Sequence, residues 1–262
     1  MLNSIQMRLF MFFVISLVSI LPQSILAQDK NTVLLYTFDS GDGNVVKDLS
    51  EHGNDGTLMG NTDWDDGKLG NGLVFGGNEP RDFVDIPDRD SLDLVTELTI
   101  EMWVFLNAHS TAGGNGVTKE KSYKIGPRSN QRSILRMTTT KNDWVDATVI
   151  GEKPLPLNVW FHIAGTYDAN SGDGKLYFNG EIDSEKNIGG DIVPNDVSVW
   201  LGRGSSPFLN GYMDEVRISN VVRSQKEIQR LMNAGIEGVL SVSPNDKLAI
   251  SWGKIKRKSY HF

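Results

Sequence analysis

The sequence has no cysteine. Thiol catalysis, a disulfide framework and cysteine-based zinc sites are therefore excluded together. Histidine is nearly as scarce. His52, His109, His162 and His261 are all 4 of them, and no two have the i, i+4 spacing of a helical metal pair. Proline is limited to 9 residues, and no G-X-Y period accompanies the 27 glycines, so the chain is not collagen-like. Basic residues are outnumbered, with 26 Lys and Arg against 33 Asp and Glu and a formal charge of -7. An acidic chain is a poor match for a phosphate backbone, which argues against nucleic acid as a partner. Beyond residue 27, no stretch is apolar enough to span a bilayer.

What is present supports a packed domain. Hydrophobic residues make up 39% and charged residues 23% of 262, enough apolar surface for a sizeable core. The glycine content is above the usual share of about 7%, which fits many tight turns and hence many short strands. Arg8, the apolar run from Leu9 to Leu21 and the small residue Ala27 before Gln28 have the layout of a secretory signal peptide over residues 1–27. The run is short of the ~20 residues that span a bilayer. The remainder is expected to be secreted, or held at the cell surface or in the periplasm, with an uncleaved anchor as the alternative. The expected organisation is a signal peptide at 1–27, one domain at 28–235 and a C-terminal extension at 236–262. The extension ends in Lys254-Ile255-Lys256-Arg257-Lys258, which suits a solvated chain end or attachment to an anionic surface.

From Thr32 to about Asn220 the pattern has a period of two and is punctuated by turns. Strands are predicted at Val33–Phe38, Gly72–Phe75, Asp82–Ile86, Leu98–Phe105, Val159–Tyr167, Lys175–Phe178, Val197–Leu201 and Gly211–Ile218. Asn179-Gly180 between strands predicts a type I′ hairpin, because both central residues of that turn need positive φ. Ser224-Gln225-Lys226-Glu227 is a capping box opening a helix with Ile228, Leu231 and Met232 on one stripe and Gly235 as its stop. The expectation is an all-β fold: a two-sheet antiparallel β-sandwich, or jelly roll, with one short C-terminal helix.

Several segments together resemble a known family. They are Phe38-Asp39, Asp48 to Gly56, Leu98 to Val104, Trp160 to Asp168, Leu176 to Gly180, and Gly211 to Ile218. In this order they are similar to the laminin G-like jelly-roll modules of the concanavalin A-like lectin/glucanase superfamily. The resemblance covers residues 32 to 233. It implies a secreted, non-catalytic module that binds glycan or an extracellular protein, with calcium in many members. It leaves a purely structural surface or matrix component open.

The residues themselves offer three kinds of chemistry. Glu181-Ile182-Asp183-Ser184-Glu185 is similar to the Glu-x-Asp-x-Glu signature of laminarinase-type glucanases, and strand alternation would put all three carboxylates on one face. That makes a glycoside hydrolase using Glu181 and Glu185 the alternative function. Against it, the Cα atoms of the two glutamates are roughly 13 Å apart in an extended strand, whereas retaining chemistry wants carboxyls ~5–5.5 Å apart. Calcium is the second possibility. Alternation places Asp214 on the same face as Val216 and Ile218, with Glu215 and Arg217 on the polar face. A core-side carboxylate must be paired, protonated or bound to a cation. Asp39, Asp48 and Asn54 are hard oxygen donors from the opening segment, so the candidate metal ligands are Asp39, Asp48, Asn54 and Asp214. The third is sugar stacking. Trp64 and Trp144 are flanked by Asp63/Asp65 and Asp143/Asp146, and are the candidate ligand-binding residues of polar loops. Trp103 and Trp160 are assigned to strand packing, and His162, mid-strand and without a serine elbow, to a hydrogen-bonded structural role rather than a catalytic base. The segments starting at Asn61 and Asp168 look like calcium loops but lack Gly at position six and Glu at position twelve, so they are read as turns.

Overall fold

The architecture is that of a computed structural model, and the description covers residues 29–77, 81–109, 116–204 and 208–240. The expected signal peptide and the basic end lie outside the described residues. In chain order the strands are β1 (Thr32–Tyr36), β2 (Val45–Val46), β3 (Gly56–Met59), β4 (Asp63–Asp66), β5 (Asn71–Gly76), β6 (Phe83–Ile86), β7 (Glu97–Leu106) and β8 (Val117–Lys119). They continue as β9 (Tyr123–Pro127), β10 (Ser133–Met137), β11 (Thr148–Ile150), β12 (Trp160–Asp168), β13 (Asp173–Phe178), β14 (Glu181–Asn187), β15 (Val199–Leu201) and β16 (Asn210–Ser219). One helix, α1 (Gln225–Leu240), follows.

The strands form two antiparallel sheets, so the chain is the two-sheet sandwich that its alternation predicts. The first sheet runs β14-β13-β12-β7-β16-β5-β4, with β1 also on β16; the second runs β11-β10-β9-β8-β15-β6-β3-β2. Between them lie Leu73, Phe75, Ile100, Met102, Val104, Phe161, Ile163, Val216 and Ile218 from the first sheet, and Val84, Ile86, Val117, Ile125, Leu135 and Val149 from the second. Asn179 and Gly180 turn the β13–β14 hairpin with φ of 49° and 76°, as a type I′ turn requires.

Helix α1 opens with the capping box. The Glu227 amide donates to Ser224 Oγ at 3.3 Å, and the Ser224 amide donates to Glu227 Oε2 at 2.9 Å. Ile228 and Leu231 are buried against the first sheet. Gly235 interrupts the helix in a left-handed conformation with φ 69°, and Ile236, just beyond it, packs on Leu35 and Leu231. The Glu215 carboxylate accepts the Ile236 amide there.

Three local expectations are corrected. The polar segment read as a turn from Asn61 contains β4, an edge strand paired with β5; its exposed Asp63, Asp65 and Asp66 mask the alternation. A bulge between Asp214 and Arg217, with Glu215 at φ 53°, shifts the parity of β16. Val216 and Ile218 keep the core face, but Asp214 pairs with Trp103 and turns to the outer face together with Arg217, which pairs with Glu101. Glu215 and Arg217 are both buried rather than on a solvated face. A second bulge on β14, at Asp183, separates the three acids of Glu181 to Glu185.

Candidate functional site

β7 carries apolar side chains on both faces. Ile100, Met102 and Val104 enter the sandwich, while Trp103 and Phe105 point to the outer face of the first sheet. The register aligns Phe105 with Trp160 of β12 on one side and Tyr212 of β16 on the other. That outer face has two halves, and they differ in what covers them.

Helix α1 closes one half. Ile228 seats on Ala164 and Tyr177, and Gln225 and Gln229 each donate to the Gly180 carbonyl, at 3.0 and 3.1 Å. Within this face Arg217 donates two hydrogen bonds to Glu101 Oε1, at 2.9 and 2.5 Å. His162 Nε2 lies 3.6 Å from Glu101 Oε2, and its ring meets Trp103 edge-on at 5.5 Å. Burial foremost, then the Arg217 charge, lowers the His162 pKa to about 3, so the ring is neutral. Burial also raises the Glu101 carboxyl, against the opposing pull of Arg217. His162 is thus a buried packing residue, as its mid-strand position suggests, but not a hydrogen-bonded one: among the described residues, neither ring nitrogen has a hydrogen-bond partner.

The other half is open. Phe105, Trp160 and Tyr212 line a cleft of about 410 Å³, together with Asp65, Asp66, Asn107 and Asn158. The three rings hold one another edge-on or tilted: Phe105 to Tyr212 at 5.5 Å and 88°, Phe105 to Trp160 at 5.7 Å and 62°, Trp160 to Tyr212 at 6.2 Å and 59°. Gly211 is essential to this arrangement. A Cβ there would sit 1.9 Å from the Phe105 carbonyl oxygen, so only glycine allows β16 to run against β7 at this point. The rim of exposed Asp65, Asp66, Asn107 and Asn158 supplies carbonyl and carboxylate acceptors and amide donors around an apolar floor.

Trp64 and Trp144 occupy different places. Trp64 is half-buried in β4, packs toward the core and donates its Nε1 to the Gly43 carbonyl at 2.8 Å. Its neighbours Asp65 and Asp66 are the ones that reach the cleft. Trp144, read either as an exposed loop residue or as one folded back on the sandwich, takes the second course: it is 7% exposed, under a set of cations on the second sheet. The cleft aromatics escape a residue-by-residue reading because each lies in an ordinary strand. The available signal was β7 itself: a strand apolar on both faces needs a cover for each, and one short helix cannot cover a whole sheet.

The four candidate metal ligands fall into two groups. Asp39 and Asp214 flank the turn Lys68-Leu69-Gly70. Asp39 Oδ1 accepts the Asn71 amide at 3.1 Å; Asp214 Oδ2 accepts the Leu69 amide at 2.9 Å and Oδ1 its own neighbour's, Glu215, at 2.7 Å. Burial, with the Asp39 charge adding to it, raises the Asp214 pKa to about 7 despite these hydrogen bonds. Asp48 and Asn54 lie in a second network. Asp48 accepts the amides of Leu35, Ser50 and Asn54 and the Ser50 hydroxyl, at 2.6 to 2.9 Å. Asn54 donates to the Val33 carbonyl at 2.6 Å and to Ser91 at 3.0 Å. Those two staple the opening loop to the sandwich. Among the described residues, no group of three or more His, Asp or Glu is arranged to hold a metal ion.

The glucanase-like acids are dispersed as well. Glu181 accepts from Gln225 and Gln229 of the helix, at 2.9 and 3.0 Å, and Glu185 lies 3.4 Å from Lys175. Asp183 turns toward the second sheet, where it accepts the Glu152 and Lys153 amides at 3.1 and 3.0 Å. The bulge is what removes the single carboxylate face that plain alternation predicts.

This sandwich, with an open aromatic cleft on one outer face, belongs to a known family. A Laminin_G_3 family model matches residues 76–229, more than half of the chain, and places it in the concanavalin A-like lectin/glucanases superfamily. No curated protein matches the sequence. Among solved structures, the chain is similar to the binding domain of Paraclostridial mosquitocidal protein 1 at 18% identity and a TM-score of 0.63, over 78% of this chain and 52% of that one. It is also similar to domain 4 of AbnA, an extracellular arabinanase of Geobacillus stearothermophilus solved with arabinotriose, at 21% identity and a TM-score of 0.60, over 77% of this chain and 98% of that one. A third is the binding domain of botulinum neurotoxin DC in complex with SialylT, at 13% identity and a TM-score of 0.60, over 78% of this chain and 51% of that one. The chain thus spans about half the length of the two toxin domains it matches. These likenesses establish the fold.

Proposed function

We propose that the protein is a secreted or surface-displayed, non-catalytic module that binds glycan through the Phe105–Trp160–Tyr212 cleft. The observation that carries this reading is the cleft itself: three mutually braced aromatic rings left uncovered beside a helix that closes another part of the same face. A pyranose or furanose ring has an apolar face that packs on such rings, while its hydroxyls need the donors and acceptors of Asp65, Asp66, Asn107 and Asn158. The domain of AbnA solved with arabinotriose has the same fold, which makes a glycan ligand a natural choice. The dispersal of Glu181, Asp183 and Glu185 favours binding over hydrolysis. The export expected from the N-terminal segment agrees with such a role.

Calcium enters the proposal at one place, between Asp39 and Asp214. What supports it is a buried carboxylate whose charge is disfavoured by burial and by a second carboxylate, a situation that a hard cation relieves. The ion would tie β16 to the opening segment as a structural staple, with no part in sugar contact.

The test is a panel of neutral oligosaccharides, arabino-oligosaccharides included, titrated into the full chain, Trp160→Ala and Tyr212→Ala. Saturable binding that falls about tenfold or more in either variant supports the cleft, since truncating a central aromatic typically costs 2 kcal/mol or more, about this much in affinity. Binding unchanged by both substitutions, or release of reducing sugar by the native chain, overturns the reading.

A further inference from the structure

The outer face of the second sheet carries a separate feature. Arg136 of β10 pairs with Lys124 of β9, which pairs with Thr118 of β8, so the two cations are neighbours in one row across the sheet. Both lie over the ring of Trp144. Its ring centroid is 5.1 Å from Lys124 Nζ, 5.9 Å from Arg136 Cζ and 6.0 Å from Lys121 Nζ. Arg128 contributes a fourth positive charge to the field, and Glu120 and Asp143 are the acids bordering it. In a chain of formal charge -7 this is a local reversal of sign.

Lys124 is the telling member. The residue as a whole is only 3% exposed, and its ammonium lies against the face of the Trp144 ring. Burial first, opposed by Glu120 and reinforced by Arg136, Lys121 and Arg128, lowers its pKa. Arg136 is better anchored, its Nε donating to Thr148 Oγ1 at 2.8 Å. Like charges held this close around one ring favour an oxyanion, which accepts hydrogen bonds from them and relieves their mutual repulsion.

We propose that Lys121, Lys124 and Arg136, gathered around Trp144 on the outer face of the second sheet, bind an anionic group, sulfate or carboxylate, borne by a polysaccharide. A sparsely charged polysaccharide fits better than nucleic acid. A duplex carries a charge about every 1.7 Å, and the acidic surface around the patch would repel whatever part of it the patch does not neutralise. The inference does not rest on the aromatic cleft, which belongs to the other sheet. If both hold, the module grips a polysaccharide by its neutral rings on one side and by its charges on the other.

The experiment measures binding of the full chain to immobilised κ-carrageenan, polygalacturonate and uncharged dextran, at roughly 50 and 200 mM salt. Binding to one or both charged polymers but not to dextran, weakened at the higher salt, is expected; which polymer binds tells sulfate from carboxylate. Lys121→Ala with Lys124→Met should lose about tenfold or more in affinity, because two counterion-releasing contacts are gone. Lys124→Met keeps the aliphatic stem, so its thermal midpoint should equal or exceed that of the native chain. Trp160→Ala should keep the salt-dependent part of the binding to the charged polymers, which separates this site from the cleft. The inference is overturned if neither charged polymer binds, if the folded double variant binds as the native chain does, or if a DNA duplex or phosphatidylserine vesicles bind more tightly than both polysaccharides.

Discussion

His162 and Asp214 sit on the same outer face and depend on pH in opposite senses. The His162 pKa is lowered to about 3 in the fold, against about 6.5 unfolded. Its neutral form is the folded form, so its contribution to stability is complete above about pH 6.5 and is lost as pH falls toward 3. The Asp214 pKa is raised to about 7, so its contribution is complete below its unfolded value of about 3.9 and is lost as pH rises through 7. Between pH 7 and pH 4 the two oppose each other. His162→Leu removes one side of this balance. Relative to the native chain, it should gain up to about 3 kcal/mol on acidification from pH 7 to pH 4, taking about 1.4 kcal/mol per pKa unit. Urea unfolding at both pH values checks this. Parallel slopes for native and variant would mean that the imidazolium finds a partner in the fold.

At the scale of elements, β14 and α1 give two contrasting expectations. Glu181 and Glu185 are exposed, so changing both to Gln should alter stability by no more than about 0.5 kcal/mol. Asp183 is buried and accepts two backbone amides, so Asp183→Ala should cost about 1–3 kcal/mol by leaving Glu152 and Lys153 unpaired. Chemical denaturation of both variants tests the pair, and equal losses would mean that the bulge does not direct Asp183 inward. For α1, Ser224→Ala should cost about 1 kcal/mol through loss of the cap. Hydrogen exchange at Ile228 and Leu231 should be slow in the native chain, because their side chains are buried on the first sheet. Exchange there as fast as at a chain end would show the helix undocked. The cap, the apolar stripe and the Gly235 break were legible in the sequence, because helix signals are local. The bulges at Asp183 and Glu215 were not, since a bulge is a relation between two strands and no residue type announces it.

At the scale of the whole molecule, the calcium proposal predicts that the ion raises the thermal midpoint and a chelator reverses the rise. Binding to the native state alone stabilises by about 2.7 kcal/mol at one hundred times Kd, on the order of 5 °C for a domain of this size. Asp214→Asn should remove the response and leave a folded sandwich. Coincident native melts with calcium and with chelator would show that Asp214 is served by backbone amides, those of Lys68, Leu69 and Glu215, without an ion.

Strand periodicity, glycine-rich turns, the Asn179-Gly180 hairpin and the capping box specify a two-sheet sandwich with one docked helix, because each depends on neighbours within a few residues. The long strands β7, β12 and β16 are likewise visible as runs of β-formers. The site was decided by pairing. Phe105, Trp160 and Tyr212 are brought side by side from residues 105 to 212 by strand register, and Lys121, Lys124, Arg136 and Trp144 by a face of the other sheet. One-residue bulges moved Asp214 and Asp183 to faces that alternation assigns otherwise. Side-chain period fixes a face only while register is unbroken, and register is a property of the assembled sheet.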